Sequence, residues 1–412
     1  MNPITKHIIK DNQYYKFCLY GFLKNLRFFE PFFILFFLSK GLSFLHIGTL
    51  YAIREIAINV FEIPSGIIAD ALGRRKTLAS SFLIYIVAFL IFYFTSSYFL
   101  FAIAMLFYAL GDAIRSGINK AMIVEYLKRT NQSKLKVAYY GHTRGWSQFG
   151  SAISSLAGGI LVFYNQNLDT IFLFSILPYL IDFVNVLSYP KYLDEAKEKH
   201  IPVSAHIKTI TTTFFTSLKD KDLLKTLINA SVYSGYYKSI KDFIQPFLKT
   251  LIIGLPLFYS LTKDEKLSLS LGLVYFVIFI VNSYVSRNAS KITEFFKSSS
   301  AMLNISLFTG SLLGFLAGVL MKYYVSVWAI VLFIFILLIE NGRKPATVAI
   351  ITDKSESKVH AGILSVASQL GSVFAALFVL VIGYLSDLYG VGIGIGAVSI
   401  LLALISLFVK VK

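Results

Sequence analysis

Cysteine is nearly absent from the 412-residue chain. Cys18 stands alone, which excludes an internal disulfide and any CxxC metal or redox site. The 6 histidines are scattered and build no ligand cluster, so neither a metal nor a cofactor is expected. Charge is scarce as well: Asp, Glu, Lys and Arg make up 15% of the residues, against roughly 25% in an average soluble domain. Tryptophan occurs only 2 times. No nucleophile and base converge on one another in the sequence, which argues against an enzyme.

Apolar residues fill the space that charge leaves. They reach 56%, with a mean hydropathy of +0.69. A soluble chain this apolar could not cover its surface. The 38 Phe and 25 Tyr supply lipid contacts and interfacial anchors. A span needs ~20 predominantly apolar residues. The pattern predicts an all-α membrane protein with twelve transmembrane helices, at about 17–38, 43–69, 78–95, 100–127, 137–164, 170–188, 223–253, 267–285, 302–319, 326–350, 362–384 and 391–409. Pro246 is a predicted kink in the seventh.

A net charge of +17 could point to nucleic acid. The cations instead cluster in short loops between apolar runs, as topogenic charge does. Arg74–Lys76, Lys128–Lys136, the stretch from Tyr192 to Lys221, Arg287–Lys297 and Arg343–Lys358 fall on one side, together with both termini. The opposite loops, such as Ser96–Tyr98, are almost bare of cations, with Lys263, Lys266 and Lys322 as exceptions. This places both termini in the cytoplasm of a plasma-membrane protein. Lys6, Lys10 and Lys16 precede an apolar run without a small-residue cleavage site, so the first span is expected to stay uncleaved.

One stretch organises the rest: Glu62 to Lys76, EIPSGIIADALGRRK. Gly66 and Asp70 share a helical face, Gly73 can stop the helix in a left-handed turn, and Arg74, Arg75 and Lys76 follow. The spacing G-x-x-x-D-x-x-G-R-R-K resembles the signature loop between helices 2 and 3 of the major facilitator superfamily of secondary transporters. The resemblance implies two six-helix bundles, here 1–190 and 222–412, joined by a cytoplasmic linker at 191–221 with an amphipathic helix near 201–218. It implies that Asp70 faces the start of helix 11 and that Arg74 pairs with the acid at the end of helix 4, which is Glu125, closing the cytoplasmic side in the outward-open state. Arg287 and Asp353 look like a degenerate second copy. The mid-membrane Arg115 resembles the family's helix 4 arginine, linked to proton coupling or substrate binding. The fifth span has Gly145, Gly150, Gly158 and Gly159 but lacks the Gly-Pro motif common in exporters of the superfamily.

The two halves echo one another. Arg115 precedes Glu125 by ten residues and Arg343 precedes Asp353 by ten; Ser147-Gln-Phe-Gly-Ser is repeated as Ser368-Gln-Leu-Gly-Ser. Such echoes point to a duplicated unit with a cavity between the copies. The run from Gly390 to Gly396 lacks the βαβ context of a phosphate loop, so close packing of the last span is expected.

Ionisable groups inside the bilayer each cost ~2.5–3.5 kcal/mol on insertion scales, so they should face a cavity or a partner. The first span carries Arg27 and Glu30, expected to pair along one face, followed by Pro31. The second carries Glu55, Asn59 and Glu62; the fourth Asp112, Arg115 and Asn119; the fifth His142, Arg144 and Gln148. The seventh carries Lys238, Lys241, Asp242 and Gln245; the tenth Glu340 and Asn341; the eleventh Gln369.

The expected function is alternating-access transport of a small polar or anionic solute, coupled to H⁺ or Na⁺, by a monomer in the lipid bilayer. Arg27, Arg115, Arg144, Gln148, Lys241 and Gln369 are the candidate solute-binding residues. Glu30, Glu55, Glu62 and Asp112 are candidates for proton carriage, with Glu30 and Asp112 favoured because each has an arginine three residues away. Gly66, Asp70, Gly73, Arg74, Arg75 and Glu125 are the candidate gate. A proton-driven exporter of amphipathic or cationic compounds is the alternative.

Overall fold

The computed structural model describes residues 8–194, 212, 220–254, 260–288, 296, 298–324, 326–354 and 360–411. The expected amphipathic segment at 201–218 lies outside the described residues, Thr212 apart. Helices and turns account for the described elements: α1 Asn12–Leu23, α2 Phe33–Ser39, α3 Phe44–Leu72, α4 Arg74–Phe94, α5 Tyr98–Arg129, α6 Lys136–Asn165, α7 Thr170–Leu187, α8 Lys221–Ile240, α9 Ile244–Gly254, α10 Lys263–Arg287, α11 Ser299–Tyr323, α12 Val327–Asp353, α13 His360–Tyr389 and α14 Val391–Phe408. Among the described residues, 8 helices are long and apolar enough to cross a membrane. The chain is an integral membrane protein.

Local chemistry fixes the helix ends. The Asp11 carboxylate accepts from Tyr14 N at 2.8 Å and opens α1. Thr262 and Glu265 form a reciprocal capping box at the start of α10. Gly73 adopts φ 92°, a conformation that favours glycine, and separates α3 from α4 as the motif predicts.

The first expected span is not continuous. α1 ends at Leu23, a one-turn 3-10 segment forms at Glu30–Phe32, and α2 follows. The intervening backbone closes tighter turns: Asn25 N donates to Phe22 O at 3.1 Å, Leu26 N to Leu23 O at 3.0 Å, and Glu30 N to Arg27 O at 3.0 Å. Pro31 has no N–H for a helical ladder, and the Asn25 side chain takes the Gly21 carbonyl at 2.7 Å. The seventh expected span is likewise broken, at residues 241–243 between α8 and α9. Pro246 therefore sits in the first turn of α9, where a missing N–H costs nothing, rather than kinking a continuous helix.

By compactness the chain forms two units. The first comprises Met1–Pro31, Ala57–Val203 and Gly272–Ser283; the second comprises Phe32–Ile56, Ser204–Leu271 and Tyr284–Lys412. In the first unit α1 packs on α6 and α7, and α4 packs on α5 and α7. Small residues bring backbones together: a Cβ on Gly150 would lie 2.5 Å from Phe22 O, and one on Gly158 2.4 Å from Phe28 O. Gly150 and Gly158 thus hold the end of α1 and the interrupted stretch after it against α6. In the second unit α8 packs on α13 and α11 on α14. A Cβ on Gly318 would meet Gly392 O at 2.5 Å, so the glycine-rich start of α14 serves close packing. At the start of α3, Phe44 N and Leu45 N donate to the Asp387 carboxylate of α13 at 2.7 and 2.9 Å.

Candidate functional site

The interruption after α1 frees Arg27 from its own helix. Its Nη2 donates to Asp112 Oδ1 of α5 at 3.2 Å, and its Nε to the Tyr179 hydroxyl of α7 at 3.0 Å. The expected Arg27–Glu30 pairing along one helical face is thereby corrected, because the backbone between them is not α-helical. Arg115, one turn beyond Asp112, reaches the same Oδ1 at 2.8 Å. The Tyr85 hydroxyl of α4 donates to that oxygen too. One carboxylate is thus held by two guanidinium groups and a phenol, which leaves a local excess of one positive charge. Aromatic faces complete the enclosure: the Arg27 guanidinium lies 5.2 Å from the Tyr108 ring and 5.6 Å from the Tyr85 ring. Such contacts are worth about 0.5–2 kcal/mol each when desolvated.

Beside this cluster the first unit holds an open cavity of about 690 Å³, walled by α1, α5 and α6. Lys24, Arg115, Lys120, Lys136 and Arg144 contribute 5 cations to its lining, and none of its described lining residues is a carboxylate. Lys24 stands just past α1, its Nζ 4.8 Å from the Tyr20 ring. The Tyr140 hydroxyl of α6 donates to Lys120 O at 2.8 Å and ties the two walls together. Cations gathered around one cavity attract anions.

Of the expected solute-binding residues, Arg27, Arg115 and Arg144 gather in the first unit, at or beside this cavity. Gln148 is on α6 next to the lining residue Ser147 but is not itself part of the lining. Lys241 and Gln369 belong to the second unit. Lys241 occupies the turn between α8 and α9, its Nζ 4.0 Å from Asp242 Oδ2.

The expected proton carriers are dispersed. Glu30 sits in the 3-10 turn, and Glu62 in the part of α3 assigned to the first unit. Glu55, on the earlier part of α3, belongs to the second unit, where its Oε2 accepts from Lys238 Nζ at 2.8 Å and from Ser372 Oγ at 3.1 Å. Spacing alone does not show that Lys238 and Ser372 are the partners of Glu55.

The gate residues are partly rearranged. Gly73 has the expected backbone, and Gly66 lies exposed on α3 with open space around it. The side chains of Asp70 and Arg287 lie outside the described residues. The expected Arg74–Glu125 contact is corrected: Glu125 Oε1 accepts instead from Arg129 Nε at 2.9 Å, one turn along α5. The acid at the signature loop is Asp194, which accepts from Arg75 N at 2.8 Å and lies 3.4 Å from Arg75 Nε. The Arg75 guanidinium also donates to Tyr189 O at 3.0 Å. A carboxylate at the first turn of α4 complements the helix dipole as well.

Sequence reasoning passed over Lys24, Tyr85, Tyr179, Asp182 and Asp194. The intramembrane members among them carried a signal, since any ionisable residue within a span is a site by default.

A family model described as Major Facilitator Superfamily matches residues 18–375. "Uncharacterized MFS-type transporter YxaM" of Bacillus subtilis (strain 168) is 30% identical over 225 residues, which is 54% of this chain and 55% of the relative; the match thus spans about half the length of that relative. Among solved structures, a single-site variant of the nucleoside transporter NupG aligns with a TM-score of 0.74 at 13% identity, covering 97% of this chain and 98% of the other. A POT family transporter in complex with 5-aminolevulinic acid aligns with a TM-score of 0.68 at 16% identity, covering 96% and 92%. The likeness to these structures is one of fold. With the family model running through most of the chain, the protein belongs to the Major Facilitator Superfamily, a family of membrane transporters and not of enzymes.

Proposed function

We propose that the protein is a secondary active transporter that carries a small anionic solute through the cavity of the first unit by alternating access, coupled to protons. The observation that carries this reading is the cavity of about 690 Å³ whose described lining holds Lys24, Arg115, Lys120, Lys136 and Arg144 without a carboxylate. Arg115 is the pivot, since it both lines the cavity and holds Asp112. The solute displaces no protein partner from Arg144, which has no ion pair among the described residues. Exchange of an exporter's cationic cargo is disfavoured here, because a cation would enter a space already lined by cations.

In this proposal the interrupted segments supply the first and seventh of twelve spans, α1 with α2 and α8 with α9. Interrupted helices at corresponding positions of two repeats are a pointer to a transport site, since their free backbone groups can face a wet space. The spans group as six-helix bundles at 1–190 and 222–412, with both termini and the linker in the cytoplasm and the monomer as the working form. Glu55, Lys238 and Ser372 would act as a latch that forms in one state of the cycle and breaks in the other.

The test is a flux screen in proteoliposomes with labelled anions and labelled cations, with and without an imposed pH gradient. Saturable anion uptake driven by the gradient, and lost in Arg115→Ala, is the expected result. Uptake of cationic dyes with no anion transported would overturn the reading.

A further inference from the structure

We infer that Asp182, a carboxyl group sealed inside the first unit behind the cationic cavity, takes up and gives back the coupling proton. This rests on the reading of the cavity as an anion site. Asp182 lies five residues before the end of α7 and has no exposed surface. Its Oδ1 accepts from Asn185 Nδ2, one turn on, at 2.9 Å. Its Oδ2 is buried and has no hydrogen-bond partner among the described residues. An ionised carboxylate with one bare oxygen in such a place lacks the donors that would stabilise it. A proton on Oδ2 removes that charge.

Three other acids of the unit are already held by cations. Asp112 is already held by Arg27, Arg115 and Tyr85, so its charge is satisfied. Glu125 is tied to Arg129 and Asp194 to Arg75. Asp182 is different: it is close to cations without being paired to one. The ionisable groups that face it are Tyr20 from α1, Lys24 just past it, Arg115 from α5, and Tyr189 just past α7. Three of these, Tyr20, Lys24 and Arg115, also line the cavity.

That shared wall couples proton to solute. With the cavity empty, Lys24 and Arg115 favour the ionised form of Asp182. An anion in the cavity offsets those charges, and Asp182 then binds a proton. The proton comes from water through the cavity and forms an O–H bond at Oδ2. When the anion departs, that bond breaks and the proton returns to water. By linkage the proton must strengthen anion binding by the same factor. The two therefore travel together, in the same direction.

The test is infrared difference spectroscopy of the full chain in lipid across a pH titration, with inorganic phosphate as the probe anion and calorimetry to measure its binding. Wild type should show the carbonyl band of a buried protonated carboxyl. Asp182→Asn should delete it and Asp182→Glu should shift it, so the assignment does not depend on one variant. Phosphate should move the titration midpoint to higher pH in wild type, and its affinity should fall about tenfold or more on passing through that midpoint but stay level in Asp182→Asn. A band unchanged in both variants overturns the inference and leaves the anion reading standing. Phosphate that binds while leaving the midpoint in place overturns the linkage. A cavity that does not bind phosphate overturns the anion reading itself, whatever the band shows.

Discussion

Arg115→Ala separates the transport role of Arg115 from its structural one. In the wild type Asp112 Oδ1 receives Arg115 at 2.8 Å, Arg27 at 3.2 Å and the Tyr85 hydroxyl. Removing Arg115 leaves the carboxylate with one guanidinium and one phenol. That differs from orphaning a buried charge, which costs about 3–5 kcal/mol. The loss should instead be near that of one charge-assisted hydrogen bond, about 1.5–3 kcal/mol. The cavity meanwhile loses the cation at its inner wall, and a lost charged contact of similar size weakens a bound anion by roughly tenfold to a hundredfold. The variant should therefore insert, purify and melt only modestly lower, while coupled uptake falls to background. Arg115→Lys keeps the charge and should recover part of the binding. Full uptake by Arg115→Ala in proteoliposomes would refute this reasoning, as would a protein that no longer folds while Arg115→Lys behaves the same way.

Further outcomes follow from the packing and the caps. Gly158→Val should cost at least ~1–3 kcal/mol through overpacking, because its Cβ would sit 2.4 Å from Phe28 O, whereas Gly117→Ala meets open space and should be neutral; thermal unfolding in detergent compares them. Asp194→Ala removes the carboxylate from Arg75 N and Nε, and should lower stability by about 0.5–2 kcal/mol, as a lost cap does; an unchanged melting temperature would count against it. Arg343→Met strips a fully buried guanidinium from Leu303 O, Ser306 Oγ and the Asn229 carbonyls. Each bare acceptor costs about 1–3 kcal/mol, so the variant should accumulate poorly, as read by the fluorescence of a fused reporter.

Much of the fold was legible because a bilayer leaves few options. Apolar runs and cationic loops mark the helices, and the Gly73-Arg-Arg signature predicted a backbone that the structure shows at φ 92°. Asp112 and Arg115 were readable as a pair because they share an unbroken helix, α5. Arg27 and Glu30 have the same spacing, yet spacing holds only while the helix continues, and Asn25 and Pro31 interrupt it. The Arg74–Glu125 expectation failed for a different reason: Arg129, one helical turn from Glu125, competes locally with a partner on another helix. Asp182 is a lone acid in an apolar run with Asn185 one turn on. Its sequence marked it as costly, but its neighbours Tyr20 and Lys24 come from far along the chain, so only the tertiary structure shows what it faces.

The central claim is that the cations of the first-unit cavity hold the transported anion. Competition of a panel of unlabelled anions against pH-driven uptake, compared between wild type and the Lys24→Gln/Arg144→Gln double variant, tests it most directly. The account predicts saturable, anion-inhibited uptake in wild type and a loss of at least about a hundredfold in apparent affinity in the double variant, as two charged contacts would give. Uptake with the same affinity in both proteins would contradict it.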